Sequence, residues 1–183
     1  MINGENIILR PLKIEDLEKT HQWRNDLELI KLTQGIRFPK TMEMDREWFQ
    51  NALNDKSNKH IYFGIDEIES GKFIGIIQLN NIDYISGTAV LGFIIGDREK
   101  QGKGIGTEFS KLILDYSFNQ LNIRKIISYV VEYNIISLNL FEKLGFIKEG
   151  TLRKQFYTDN EYKDVVIMAL FKDDYLKCNG DLK

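Results

Sequence analysis

Gly96-Asp97-Arg98-Glu99-Lys100-Gln101-Gly102-Lys103-Gly104-Ile105-Gly106 is the stretch on which the reading of this chain turns. The apolar run Ala89-Val90-Leu91-Gly92-Phe93-Ile94-Ile95 precedes it, and an amphipathic run over 105–120 follows. β-formers, then a glycine-rich turn, then helical periodicity predict a strand, a loop and a helix N-terminus. In the helix, Ile105, Phe109, Leu112, Ile113 and Tyr116 recur at steps of three and four and form one core-facing stripe. A helix N-terminus offers unpaired N–H groups and the positive end of the helix dipole, so such a junction suits a phosphate. Glycine there lets the backbone approach the ligand.

Spacing narrows the ligand. A nucleotide P-loop needs G-x-x-x-x-G-K-[ST], whereas Asp97 stands five before Gly102 and Gly104 follows Lys103. A dinucleotide fingerprint needs G-x-G-x-x-G, and Thr107 or Phe109 occupies the third glycine position in the two registers available. Gln101-x-x-Gly104-x-Gly106 instead resembles the Q/R-x-x-G-x-G/A signature of the GNAT acyltransferases. A second block supports the resemblance: Val131-Glu132-Tyr133-Asn134, then Ser137-Leu138-Asn139-Leu140-Phe141-Glu142-Lys143-Leu144-Gly145-Phe146. The look of the whole chain is similar to the branch of ribosomal-protein N-terminal and spermidine acetyltransferases.

The resemblance implies an α/β fold with a mixed, mostly antiparallel twisted sheet flanked by helices, and with splayed central strands. It implies acetyl-CoA as co-substrate. Pantetheine would lie along Phe93, Ile94 and Ile95, and the pyrophosphate would sit on the amides of Gln101, Gly102, Lys103, Gly104, Ile105, Gly106 and Thr107. Asn134 would hold the pantetheine arm, and Phe141 would line its path. Transfer of acetyl to a primary amine would follow, with an oxyanion donor among the backbone N–H groups near Phe93 or Ile94.

Two residues depart from the family pattern. Relatives often carry Tyr where Phe141 stands, as the acid for the leaving thiolate, and Glu where Val90 stands, as a base. Glu132, Tyr84 and Ser137 are the replacement candidates for catalysis, with Asp83 and Tyr129 further in reserve. Water-mediated deprotonation supported by Glu132 is the expected route for the amine proton. Because of Phe141 and Val90, a non-catalytic acyl-CoA-binding sensor of the same fold stands as the alternative.

At 183 residues the chain makes one domain over 1–183, with a polar tail over about 174–183. Lys plus Arg (25) nearly balances Asp plus Glu (27), which argues against a nucleic-acid partner or an anionic membrane. Cys178 is the only cysteine, so no internal disulfide forms. With no signal-peptide pattern and no membrane-length apolar run, the expectation is a cytoplasmic protein. His21 and His60 have no metal-spaced partners, and no metal site is expected.

Read in order, the chain predicts a strand at 7–9 ended by Arg10-Pro11, a helix over 12–25, and a second helix from a Thr41 cap to Leu53. Strands follow at 60–66, 72–79 and 88–95, then the helix after the loop, a strand at 125–131 and a helix at 137–144. Strands at 146–156 and 162–171, joined by a polar tip at 158–161, complete the plan. The acceptor side should come from 26–40 and from the last hairpin over 153–161, with Trp23, Phe38, Phe156 and Tyr157 as floor. A polyamine would draw on Asp26, Glu28, Asp159 and Glu161. An amino sugar linked to a nucleotide would draw on Arg24, Arg37 and Lys40, and a peptide or protein N-terminus is the third acceptor class. Long final strands in relatives often pair between subunits, so the resemblance is compatible with a homodimer.

Overall fold

The computed structural model describes residues 1–35, 37–100 and 104–179. Among them, eight strands form one mixed sheet in the order β1-β2-β3-β4-β5-β6-β8-β7. The strands are β1 (Ile2–Asn3), β2 (Ile7–Pro11), β3 (Ile61–Glu67), β4 (Phe73–Asp83), β5 (Thr88–Ile95), β6 (Lys125–Val131), β7 (Ile147–Thr158) and β8 (Glu161–Phe171). All neighbours run antiparallel except β5 and β6. Helices α1 (Leu17–Arg24), α2 (Leu27–Thr33) and α3 (Met42–Leu53) precede β3. Helix α4 (Ile105–Asp115) joins β5 to β6, α5 (Ile135–Lys143) follows β6, and α6 (Lys172–Asn179) ends the described chain.

The period-two pattern of β5 explains the two cores. Ala89, Leu91, Phe93 and Ile95 join the larger cluster, with Phe109 and Ile113 of α4 and Phe141 of α5. Ile94, one step out of phase, packs instead with Ile76 and with Trp23, Leu29 and Phe49 of α1, α2 and α3. The sheet is therefore covered on both faces.

Its central seam is incomplete. β5 pairs with β6 only at Thr88↔Lys125, Ala89↔Ile126 and Val90↔Ile127. β4 stays paired with β5 as far as Ile95, and β8 with β6 as far as Val131. Each strand thus follows its outer neighbour, and a V opens between them past Val90 and Ile127.

The structure differs from the sequence reading locally: Ile2–Asn3 adds a short strand, and the first helix, expected over 12–25, is α-helical only over Leu17–Arg24. Residues 26–40 hold a whole helix, α2, capped by Asp26, whose side chain accepts from the N–H groups of Glu28 and Leu29. At seven residues it is too short to register as a periodic pattern. The first strand runs on through Pro11 opposite Phe63, which a proline at a strand end permits. The polar tail begins as α6, fastened by the Tyr175 hydroxyl on Asp115 Oδ1 at 2.9 Å. The last hairpin agrees with the reading. Asp159 and Asn160 both take positive φ, as the tight turn that matches strand twist requires.

Candidate active site

Past Val90 the inner edge of β5 is no longer paired with β6. N–H and C=O of one residue lie on the same side of a strand, and the side alternates along the chain. Gly96 N–H donates to Ile74 O on β4 at 3.1 Å, so even-numbered residues of this segment pair toward β4. Leu91 and Phe93 therefore turn their polar groups toward the V. The Leu91 carbonyl is met there by the buried Ser128 hydroxyl at 3.1 Å. Phe93 lies one step further, where β6 has diverged, and its N–H and C=O face the opening.

That opening is a cavity of about 480 Å³ with two chemically distinct walls. On the first, the rings of Phe93 and Phe109 lie 4.9 Å apart, and Phe141 lies 6.0 Å from Phe93. Phe141 is only 2% exposed and also packs on Phe146. Gly106 faces α5, where a Cβ would come within 3.3 Å of Leu140. Gly104 caps α4 at φ 81°, a conformation natural to glycine. Ile105 is buried and Thr107 half-buried in the first turn. Gln101, Gly102 and Lys103 lie outside the described residues.

Asn134 caps α5, its Oδ1 accepting from Ser137 N–H at 3.1 Å, while its amide donates to Leu32 O at 3.2 Å. The Tyr133 hydroxyl donates to Lys31 O at 2.7 Å, and Gln34 Nε2 donates to Tyr129 O at 2.9 Å. Helix ends leave carbonyls unpaired, and here the β6–α5 junction takes up those of α2. Helix α2 is thereby tied across the mouth of the V.

The second wall comes from the opposite face of the sheet. Tyr62, Gln78 and Gly92 form one row across β3, β4 and β5, with Asn80 two residues along β4. Trp48 meets Tyr62 edge-on at 5.9 Å, and the Arg24 guanidinium lies 4.0 Å over the Trp48 ring. Asp45, fully buried, holds Arg24 Nε at 3.1 Å and His21 Nδ1 at 2.6 Å. Lys40 Nζ donates to Arg24 O at 3.1 Å. Burial, and then the neighbouring Arg24 cation, hold the Lys40 ammonium below its ordinary value. Burial likewise pushes the Tyr62 phenol up, so it stays a neutral donor. Where the walls meet, Gly96 lies so close to Trp23 that a Cβ would fall 1.9 Å from the indole.

The sequence-derived candidates divide. Ser137, Phe93, Ile94, Ile95, Gly106, Asn134 and Phe141 all line the cavity. Gly104, Ile105, Thr107, Glu132 and Tyr84 are not among the lining residues. Glu132 is exposed and continues the β6–β8 ladder, with its carboxylate accepting from Asp164 N–H at 3.1 Å. Tyr84 is 52% exposed in the β4–β5 turn, at the closed end of the seam.

The last hairpin contributes no lining residue either. Its acids, and those of α2, are paired elsewhere: Asp26 with Arg98, Glu28 and Asp159 with Lys31, and Glu161 with Lys163. Phe38 is exposed, and Arg37 lies over Phe156 at 4.3 Å. Sequence reading missed Trp48, Tyr62, Gln78, Asn80 and Ser128. The polar pair Gln78 and Asn80, alternating inside an apolar strand, was the signal available for two of them.

The model of the "Acetyltransferase (GNAT) domain" matches residues 6–147. The chain belongs to the GNAT acetyltransferase family. This GNAT protein is 29% identical to the spermidine N(1)-acetyltransferase of Escherichia coli strain K12 over 176 residues, covering 96% of the chain and 91% of that relative. Its structure matches that of the spermidine N-acetyltransferase of Vibrio cholerae in complex with CoA and spermine. That match has a TM-score of 0.86 at 29% identity, covering 93% of this chain and 98% of that one. A dodecameric structure of the Vibrio cholerae enzyme matches with a TM-score of 0.79 at 29% identity, over 94% and 98% of the two chains. The GNAT chain is an N-acetyltransferase that uses acetyl-CoA. No group of three or more His, Cys, Asp or Glu among the described residues could hold a metal, and no described helix is long and apolar enough to cross a membrane.

Proposed function

We propose that the chain moves acetyl from acetyl-CoA to the primary amine of a small molecule, with the two substrates meeting at Phe93. The observation that carries this reading is the parting of β5 from β6, whose pairing ends at Val90 and Ile127 and leaves Phe93 facing the opening. An extended pantetheine arm fits that edge as an added strand. Acetyl-CoA supplies the acyl group and a thiolate leaving group. Phe93 N–H, which faces the opening, is the donor for the acyl oxygen as negative charge builds on it, whereas Ile94 N–H points to β4. Gly104, Ile105, Gly106 and Thr107 open α4, whose N-terminus suits the pyrophosphate.

The amine arrives protonated and gives up a proton to solvent before attack. Its nitrogen bonds to the acyl carbon as the carbon–sulfur bond breaks. Phe141 has no proton for the departing sulfur. Ser137, one helical turn before it on α5, is the lining hydroxyl that can hydrogen-bond the thiolate, which takes its proton from water. A thiol is far more acidic than an alcohol, so its thiolate leaves acceptably without a strong acid.

The names of the relatives bring polyamines as an acceptor class. The exposed outer strand β7 and the dodecameric neighbour favour a homo-oligomer. Acetyl-CoA at ~100 times its dissociation constant should stabilise the protein by about 2.7 kcal/mol in thermal melts. Thiol release in the presence of an amine completes the test. A melt unchanged by acetyl-CoA overturns the reading.

A further inference from the structure

The second wall carries a charge that acetyl transfer alone does not require. The described residues lining the cavity include Arg24 and Lys40 but no Asp or Glu. The four acids that would welcome a polycation are spent on Arg98, Lys31 and Lys163 elsewhere. Asp45 touches this wall from behind, fully buried and engaged with His21 and Arg24. A polyamine entering here would meet cations.

We infer that Arg24 and Lys40 bind an anionic group, a phosphate or carboxylate borne by the same molecule as the acceptor amine, as in a phosphorylated or nucleotide-linked amino sugar. The inference rests on the acetyl-transfer reading above.

Three observations converge on it. Arg24 Nη1 is buried and makes no hydrogen bond, although the guanidinium is fixed by Trp48 beneath and Asp45 behind. An N–H of a buried charged group is costly to leave bare, and a planar guanidinium is shaped to meet an oxyanion. Lys40 is drawn onto the Arg24 carbonyl, which keeps two like charges close together. Asp45 behind them offsets part of that repulsion, and an anion arriving from the cavity would offset more. Beside the cations, Trp48 and Tyr62 offer an aromatic shelf, and Gln78 and Asn80 offer amides. Rings bearing hydroxyl groups or a heterocycle are bound by such a combination.

The test compares matched amines by thiol release: glucosamine with glucosamine 6-phosphate and a UDP-linked amino sugar, butylamine with 4-aminobutyrate, and spermidine beside them. Wild type, Arg24→Gln, Arg24→Lys and Lys40→Gln are assayed after melting curves establish that each is folded. The expected kcat/KM is at least about tenfold higher for the phosphorylated or carboxylated member of a pair. Arg24→Gln should erase that preference, Lys40→Gln should reduce it, and Arg24→Lys should retain part of it, with KM for acetyl-CoA unchanged throughout. Preference within the sugar pair assigns a phosphate, and preference within the alkyl pair assigns a carboxylate. Equal turnover within both pairs overturns the inference, and so does spermidine as the best acceptor with Arg24→Gln indifferent. If acetyl-CoA stabilises the protein but no anionic amine releases thiol, this inference fails. If acetyl-CoA does not stabilise it at all, the transfer reading fails first.

Discussion

The two walls of the cavity are built on opposite principles. The wall at β5, α4 and α5 works through backbone: a strand edge that has parted from its neighbour, a helix N-terminus and three phenylalanine rings that fill space. The wall at α1, α3 and β4 works through side chains: a buried carboxylate fixes a guanidinium, and aromatic rings and amides complete the surface. A backbone site tolerates side-chain replacement as long as the strand holds its course. A site made of buried charge depends on each partner, because removing one leaves the other uncompensated in low dielectric.

The largest effect that tests this contrast is expected at Asp45. Replacing it with Ala strips Arg24 of its ion pair inside the protein and should cost about 3–5 kcal/mol in denaturant unfolding. A loss below about 1 kcal/mol, the scale of an exposed pair, would show that the wall does not depend on its buried charge. A middle effect belongs to the other wall. Asn134→Ala removes the α5 cap and the tie to Leu32, and should cost about 1–2 kcal/mol while loosening α2. Hydrogen exchange in α2 reads the loosening, and unchanged exchange would mean that Tyr133 and Gln34 hold the helix without Asn134.

The smallest effect is a pH dependence at Lys40. Its folded-state value is lowered, so below that value both folded and unfolded chains are protonated and the folded state bears the penalty of the buried charge. As pH rises toward the ordinary lysine value of about 10.4, the unfolded chain holds more protons and stability rises. Wild type should therefore gain on Lys40→Met as pH goes from neutral to alkaline in parallel melts. A constant difference would remove Lys40 from the set of strained cations.

The same contrast explains what could be read from the chain. The backbone wall announces itself locally, because Gln101-x-x-Gly104-x-Gly106 and the Asn134-to-Phe146 block each lie on contiguous residues. The splayed seam followed from them through the family resemblance. The side-chain wall is gathered from α1, α3, β3 and β4, with Arg24, Trp48, Tyr62 and Gln78 spread over more than fifty residues and joined only by the fold. Glu132 looked catalytic because it follows the strand that borders the V. Strand alternation and the ladder to Asp164 turn it away, and that depends on register, which no local pattern specifies.

Gly96 and Trp23 carry this further, into how such a chain can change by descent. With the indole 1.9 Å from where a Cβ would stand, no side chain fits at position 96 while the tryptophan keeps its place. Change at the two positions is thereby coupled: a side chain at 96 needs Trp23 displaced or made smaller. Trp23 also lines the cavity, so that change already reshapes the pocket. A descendant that places a side chain at this junction is therefore expected to carry an altered cavity wall at position 23 as well.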